Sequence, residues 1–179
     1  MPQAVTHVLV PIILLSLFRD CCIKNKKDKF PLHYVLIGGL AGLLPDIDVA
    51  FYYILSFFGY SLNEIHRTFS HNLFVVVLFI LLGIFALKLK NPRLGRHHLK
   101  LSNIFFVIAF GVFMHLLLDY TVSGTIIPFY PFTFSVIGLN LVRYLPLAWR
   151  DSFIPSLDAA LLVLWLLYME LKHRISDFI

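Results

Sequence analysis

Five apolar stretches, residues 4–18, 32–58 (interrupted at Pro45), 72–87, 104–118 and 154–171, dominate this chain of 179 residues. A helix needs about 20 apolar residues to cross roughly 30 Å of hydrocarbon. Several of the stretches are shorter than that, so the polar residues at their ends lie at or slightly inside one leaflet. Hydrophobic residues make up 59% of the chain and charged ones only 14%, with a mean hydropathy of +0.84. These values exclude a soluble enzyme, a disordered chain and a disulfide-stapled secreted domain. No stretch alternates as a barrel strand does. The sequence therefore predicts an all-α, polytopic membrane helical bundle: one integral domain over 1–179 with about five apolar helices, the second broken, and an irregular segment at 120–153.

Basic residues predict the orientation. Arg19, Lys24, Lys26, Lys27 and Lys29 follow the first stretch, Lys88, Lys90, Arg93, Arg96 and Lys100 follow the third, and Lys172 and Arg174 follow the fifth. That puts 12 of 15 on one side of a five-span chain and leaves Arg67, Arg143 and Arg150 on the other. The positive-inside rule then sets the N-terminus outside and the C-terminus in the cytoplasm of a bacterial cytoplasmic membrane. The net charge of +5 reflects this placement and points to anionic headgroups, not to nucleic acid. The N-terminus lacks the features of a cleavable signal peptide. The adjacent Cys21 and Cys22 read as free thiols on a reducing side, with acylation a lesser alternative.

Ionisable residues that interrupt the apolar stretches gather on the side poor in lysine. His7 opens the first stretch, Asp46 and Asp48 break the second within Leu-Pro-Asp-Ile-Asp, and His66 and His71 precede the third. His115 and Asp119 end the fourth, and Asp158 falls one turn into the fifth. His33, His97, His98 and His173 fall among the lysines, where solvation accounts for them; Asp20 accompanies basic residues on the same side and needs no further account. A charged side chain deep in a bilayer costs roughly 2.5–3.5 kcal/mol on insertion scales, so acids and imidazoles at one depth need compensation. A divalent metal, Zn or Mn, as one or two ions, provides it. His115 and Asp119, four apart, share a helix face. His66 and His71 converge only if a helix starts between them, with Ser70 as its N-cap. The expected ligands are His7, Asp46, Asp48, His66, His71, His115 and Asp119. Asp158 reads as a helix-end residue with no sequence partner.

The segment 120–153 carries Pro128, Pro131 and Pro146 with Phe129, Tyr130, Phe132, Phe134, Tyr144 and Trp149. It reads as an aromatic belt at the interface or as a lid that grips acyl chains. Gly38 and Gly42 form a small-residue face for close helix packing.

Three motifs, Leu43-Leu44-Pro45-Asp46-Ile47-Asp48, His66-Arg67-Thr68-Phe69-Ser70-His71 and His115-Leu116-Leu117-Leu118-Asp119, follow one another in order. Together with His7 and the Pro128–Phe132 turn they resemble the YdjM-like family of membrane-bound, metal-dependent hydrolases. A looser likeness is to zinc-dependent phospholipase C, whose sites use H-x-x-x-D pairs; the H-x-x-x-E pair that follows there is lacking here. The resemblance implies a hydrolase. The reading it favours is cleavage of a phosphoester in a membrane lipid substrate at the outer leaflet, with a metal making water acidic. Asp46 or Asp48 would be the general base, and Arg67, otherwise an interfacial anchor, would clamp the phosphate. No zincin or nucleophile-elbow motif is present. The competing classes are a metal or proton transporter and a structural metal site in an interaction protein. Nearly uniform apolar residues in the other halves of the helices speak against a conduit.

Overall fold

The computed structural model describes residues 4–24, 29–59, 70–89 and 92–174. Among these it is an all-helical bundle with one short hairpin. The helices are α1 (Ala4–Cys22), α2 (Leu32–Ala41), α3 (Ile47–Leu55), α4 (Leu73–Lys88), α5 (Leu101–Leu118) and α6 (Leu147–His173). The hairpin pairs β1 (Arg93–Leu94) with β2 (Leu99–Lys100) between α4 and α5.

The second apolar stretch breaks where its sequence requires. Pro45 lacks an N–H and disfavours helical backbone at Leu44, so α2 ends at Ala41 and α3 starts afresh at Ile47. Asn72, not Ser70, caps α4: its side-chain oxygen accepts from the Val75 N–H at 3.2 Å. Helix α5 runs into a π-helical turn over Asp119–Ser123. The last helix begins at Leu147, directly after Pro146, so Trp149 and Asp151 belong to it rather than to an irregular segment. Asp158 accordingly lies in the helix interior, not one turn from its start.

By length and composition, Ala4–Cys22, Leu101–Ser123 and Leu147–His173 are able to cross a membrane. The other apolar helices are shorter: α4 has 16 residues and reaches about 24 Å. Among the described residues the five apolar stretches thus give three helices of full spanning length, with α2, α3 and α4 shorter.

Packing centres on α5, which lies between α2 and α4; α1 packs on α2, and α6 lies along α1. Leu15, Tyr34, Val35 and Val107 form one buried apolar cluster, and Val76, Ala109, Val112 and Leu116 the other. The outward faces of α4 and α6 stay apolar, as lipid contact requires, with Leu78, Leu81, Phe85, Val163 and Leu164 exposed. Helix α3 presents Phe51, Tyr53 and Ile54 outward. The segment between α5 and α6 is tied down by backbone bonds between Ile126 and Ile137 and by Leu73 N–H to Pro128 C=O at 2.9 Å. Phe132 packs edge-on against Phe74 of α4, while Phe134 and Tyr144 stay exposed, as an aromatic belt would be.

Helices α2 and α5 run parallel and meet without side chains between them. A Cβ on Gly111 would strike the Gly38 carbonyl, and one on Gly42 would strike the His7 carbonyl. Gly38 and Gly42 thus form the packing face that their spacing predicts, and Gly111 is its counterpart on α5. Gly111→Ala is expected to force the helices apart at about 1–3 kcal/mol. Thermal unfolding in detergent should show a midpoint several degrees lower, whereas Cys21→Ala, at an exposed site, should leave it unchanged.

Candidate metal centre

The parallel pair determines where the polar residues go. Because α2 and α5 start at the same end, their C-termini finish together, and carbonyl-rich C-termini favour positive charge beside them. His115 lies in the last turn of α5 with Asp119 just beyond it, and the α2–α3 break brings Asp46 beside them. The stretch leading into α4 supplies His71, and the first turns of α1 supply His7. His7, His71, His115 and Asp119 are at most 1% exposed. The Asp46 side chain is 32% exposed and forms the open side of the cluster.

Each imidazole is oriented from outside. His115 donates from Nδ1 to the Gly42 carbonyl at 2.7 Å, which leaves its Nε2 facing inward. His71 turns Nδ1 toward Asp48 Oδ2 at 3.2 Å, and the Ser70 hydroxyl donates to the same oxygen at 2.7 Å. Its Nε2 therefore also faces inward. The two Nε2 atoms lie 3.1 Å apart. Asp46 Oδ1 sits 3.5 Å from His71 Nε2 and 3.6 Å from His115 Nε2, and Asp119 Oδ2 sits 3.7 Å from each. Ligand atoms about 2.0 Å from a shared tetrahedral zinc stand about 3.3 Å from one another. The five separations bracket that value.

With both Nδ1 protons directed outward, four lone-pair atoms converge on one point out of water. Such a point demands positive charge, as a proton or as a metal ion. His71 reflects this demand. Burial alone would lower its pKa, but hydrogen bonds to Asp46 and Asp48 and the charges of Asp48 and Asp119 hold it above its ordinary value. Two imidazoles and two carboxylates are residue types that could hold a divalent ion such as zinc or manganese. A second group forms beside the first. His7 stacks on His115 with ring centroids 3.8 Å apart, and its Nε2 lies 3.5 Å from Asp119 Oδ1, the oxygen not used by the other imidazoles. His7 Nδ1 is buried and has no hydrogen-bond partner.

Of the residues singled out in the sequence, His7, Asp46, His71, His115 and Asp119 come together. Asp48 does not join them as a ligand. It stands behind His71, where a carboxylate orients and strengthens a metal-ligating imidazole. His66 and Arg67 lie outside the described residues. Asp158 stands apart from the cluster, buried and bonded by the Thr6 hydroxyl. Sequence reasoning missed the Gly42 carbonyl and Ser70, whose roles depend on backbone position and on a neighbour 22 residues away. Asp20, placed by the sequence beside basic residues, pairs with Arg19 at 2.8 Å in keeping with that placement; its bonds to Tyr168 at 2.6 Å and His173 at 3.1 Å, which join α1 to α6 at their far ends, were missed.

Fold and site together define a class: a polytopic helical membrane protein with a buried histidine–aspartate centre at one end of its bundle. Within that class the chain belongs to the YdjM inner membrane protein family, whose description matches residues 1–174, and it is thus an integral protein of the inner membrane. Neither a curated protein nor a solved structure matches it.

Thr6→Ala would strip the buried Asp158 carboxylate of that hydrogen bond. A loss of about 1–3 kcal/mol is expected, read as a lower thermal midpoint that Thr6→Ser restores.

Proposed function

We propose that this chain is a membrane-embedded, metal-dependent hydrolase that cleaves a phosphoester of a lipid at the extracytoplasmic leaflet. The observation that carries the proposal is the convergence of His71 Nε2, His115 Nε2, Asp46 Oδ1 and Asp119 Oδ2 at 3.1–3.7 Å, with both imidazoles oriented from behind. These four side chains would hold one ion. His7 and the other oxygen of Asp119 would hold a second ion if one is bound. A divalent ion bound there supplies Lewis acidity, making water acidic near neutral pH and offsetting charge on the phosphoryl oxygens.

The rest is done by this chain's own groups. Asp48 and the Gly42 carbonyl fix the imidazoles, so little reorganisation is needed when charge develops. Asp46, on the open side, takes the proton of the attacking water as the new P–O bond forms and the ester oxygen leaves. Arg67, inside the histidine motif, pairs with the phosphoryl oxygens; that role rests on the sequence alone. The exposed aromatics Phe129, Phe132 and Phe134 flank a lipid tail. The orientation supported by the basic residues puts the centre on the extracytoplasmic side and the C-terminus in the cytoplasm. Transport is the weaker reading, because Leu15, Val35 and Val107 fill the bundle between the centre and the basic end with apolar side chains.

Metal analysis of gently purified protein should give one to two zinc or manganese ions per chain, removed by His115→Ala combined with Asp119→Ala. Asp48→Ala should keep the ligands but weaken the affinity about 10–100-fold. Protein that carries no metal under these conditions would overturn the reading. Lipid profiles of cells expressing the native chain should show a dephosphorylated lipid or a released headgroup that Asp46→Ala abolishes. Divalent-ion flux into liposomes, lost in the same variants, would favour transport instead.

A further inference from the structure

The opposite end of the bundle holds a second concave site whose charge is reversed. A cavity of about 440 Å³ opens where α2 and α5 begin, lined by Lys29, His33, Arg93, His97, His98 and Lys100, with no carboxylate among the described lining residues. Lys100 and His115 are 15 residues apart on α5, so this pocket lies about 22 Å from the histidine–aspartate centre. His97 and His98 are exposed, as their place among the lysines predicts, but His33 is only partly so: it stacks on His97 with centroids 3.9 Å apart, and its Nδ1 is buried with no hydrogen-bond partner.

Three features of the fold work against an empty cationic pocket. The hairpin register places Arg93 directly opposite Lys100, and like charges facing each other across an antiparallel pair are destabilising. The turn that carries His97 and His98 contains two residues of positive φ, Gly95 at 65° and His98 at 48°. For a histidine this is an uncommon conformation, held here against its intrinsic preference. Finally, α2 and α5 both point their N-termini at this end, and neither has a side-chain cap. Their dipoles add positive potential to that of the side chains. The Lys100 N–H is already taken by the Tyr34 hydroxyl at 2.6 Å, which fixes the two helix starts side by side. A bound anion would offset all three costs at once.

We propose that this pocket binds a phosphate-bearing anion of headgroup size, with Arg93 and Lys100 pairing to its oxygens and the stacked imidazoles donating to it. Arginine's fork and several convergent cations suit a tetrahedral oxyanion better than a planar carboxylate. The phosphate belongs either to an anionic lipid of the facing leaflet or to a soluble phosphate ester. The proposal does not rest on the hydrolase reading, since the two sites share no residue.

The test uses the full chain with two probes. Glycerol 3-phosphate is titrated calorimetrically into detergent-purified protein, and phosphatidylglycerol against phosphatidylcholine is scored by native mass spectrometry after nanodisc release. Arg93→Gln combined with His97→Gln alters two exposed hairpin positions and should leave the fold intact, checked by a thermal midpoint that does not fall. At least a tenfold loss of binding is expected in the variant, in the calorimetric arm for a soluble ester or in the lipid arm alone for a headgroup. His115→Ala and metal chelation should leave that binding unchanged. No binding in either arm, or binding that the hairpin variant retains, would overturn the proposal.

Discussion

Four lone-pair atoms facing one another at the edge of an apolar bundle form the constraint on which the rest of the structure depends. Two imidazole nitrogens 3.1 Å apart, with carboxylate oxygens 3.5–3.7 Å from them, repel unless positive charge lies between them. Low dielectric magnifies both the repulsion and the reward for a cation. The surroundings remove the alternatives by which the cluster could relax. The Gly42 carbonyl and Asp48 hold the rings, and His7 closes one side by stacking on His115. Among the described members of the cluster, Asp46 is the one that stays open to solvent, so the cluster has a single accessible face.

The helix crossing that creates this centre also creates its counterpart. Gly38 and Gly111 let α2 and α5 approach in parallel, backbone against backbone, while Gly42 admits the His7 carbonyl of α1. Parallel helices align their dipoles: the two C-termini lend negative potential to the cation site, and the two N-termini lend positive potential to the basic pocket. The same geometry turns Gly42, the residue after α2, into a hydrogen-bond acceptor for a ligand on α5. An antiparallel pair would have split both effects. Between the two ends, Leu15, Val35 and Val107 insulate one polar site from the other.

Much of this was legible in the sequence because it follows from local rules. Pro45 in a long apolar stretch fixes a helix break, and two acids beside it have nowhere apolar to go. His115 and Asp119 share a face because a helix turns in 3.6 residues. Other assignments failed where a distant partner decided them. Asp48 reads as a ligand until His71 is seen to stand between it and the cluster. Asp20 reads as the companion of basic residues and does pair with Arg19, but its bonds to Tyr168 and His173 across the bundle are seen only in the structure. Asp158 and Trp149 are misplaced in sequence because Pro146 opens a helix rather than ending a loop.

The sequence by itself determined that the chain is an apolar helical bundle, that one group of its acids and histidines lies away from its lysines, and which residue types meet at that end. Hydrophobicity and helical period act on neighbouring residues, so they can be read along the chain. Only the tertiary structure decided which nitrogen of each imidazole faces inward, which carboxylate stands behind, and that the scattered basic residues form a pocket. Those outcomes depend on hydrogen bonds and dipoles between elements far apart in sequence, and the approach of α2 to α5 fixes them.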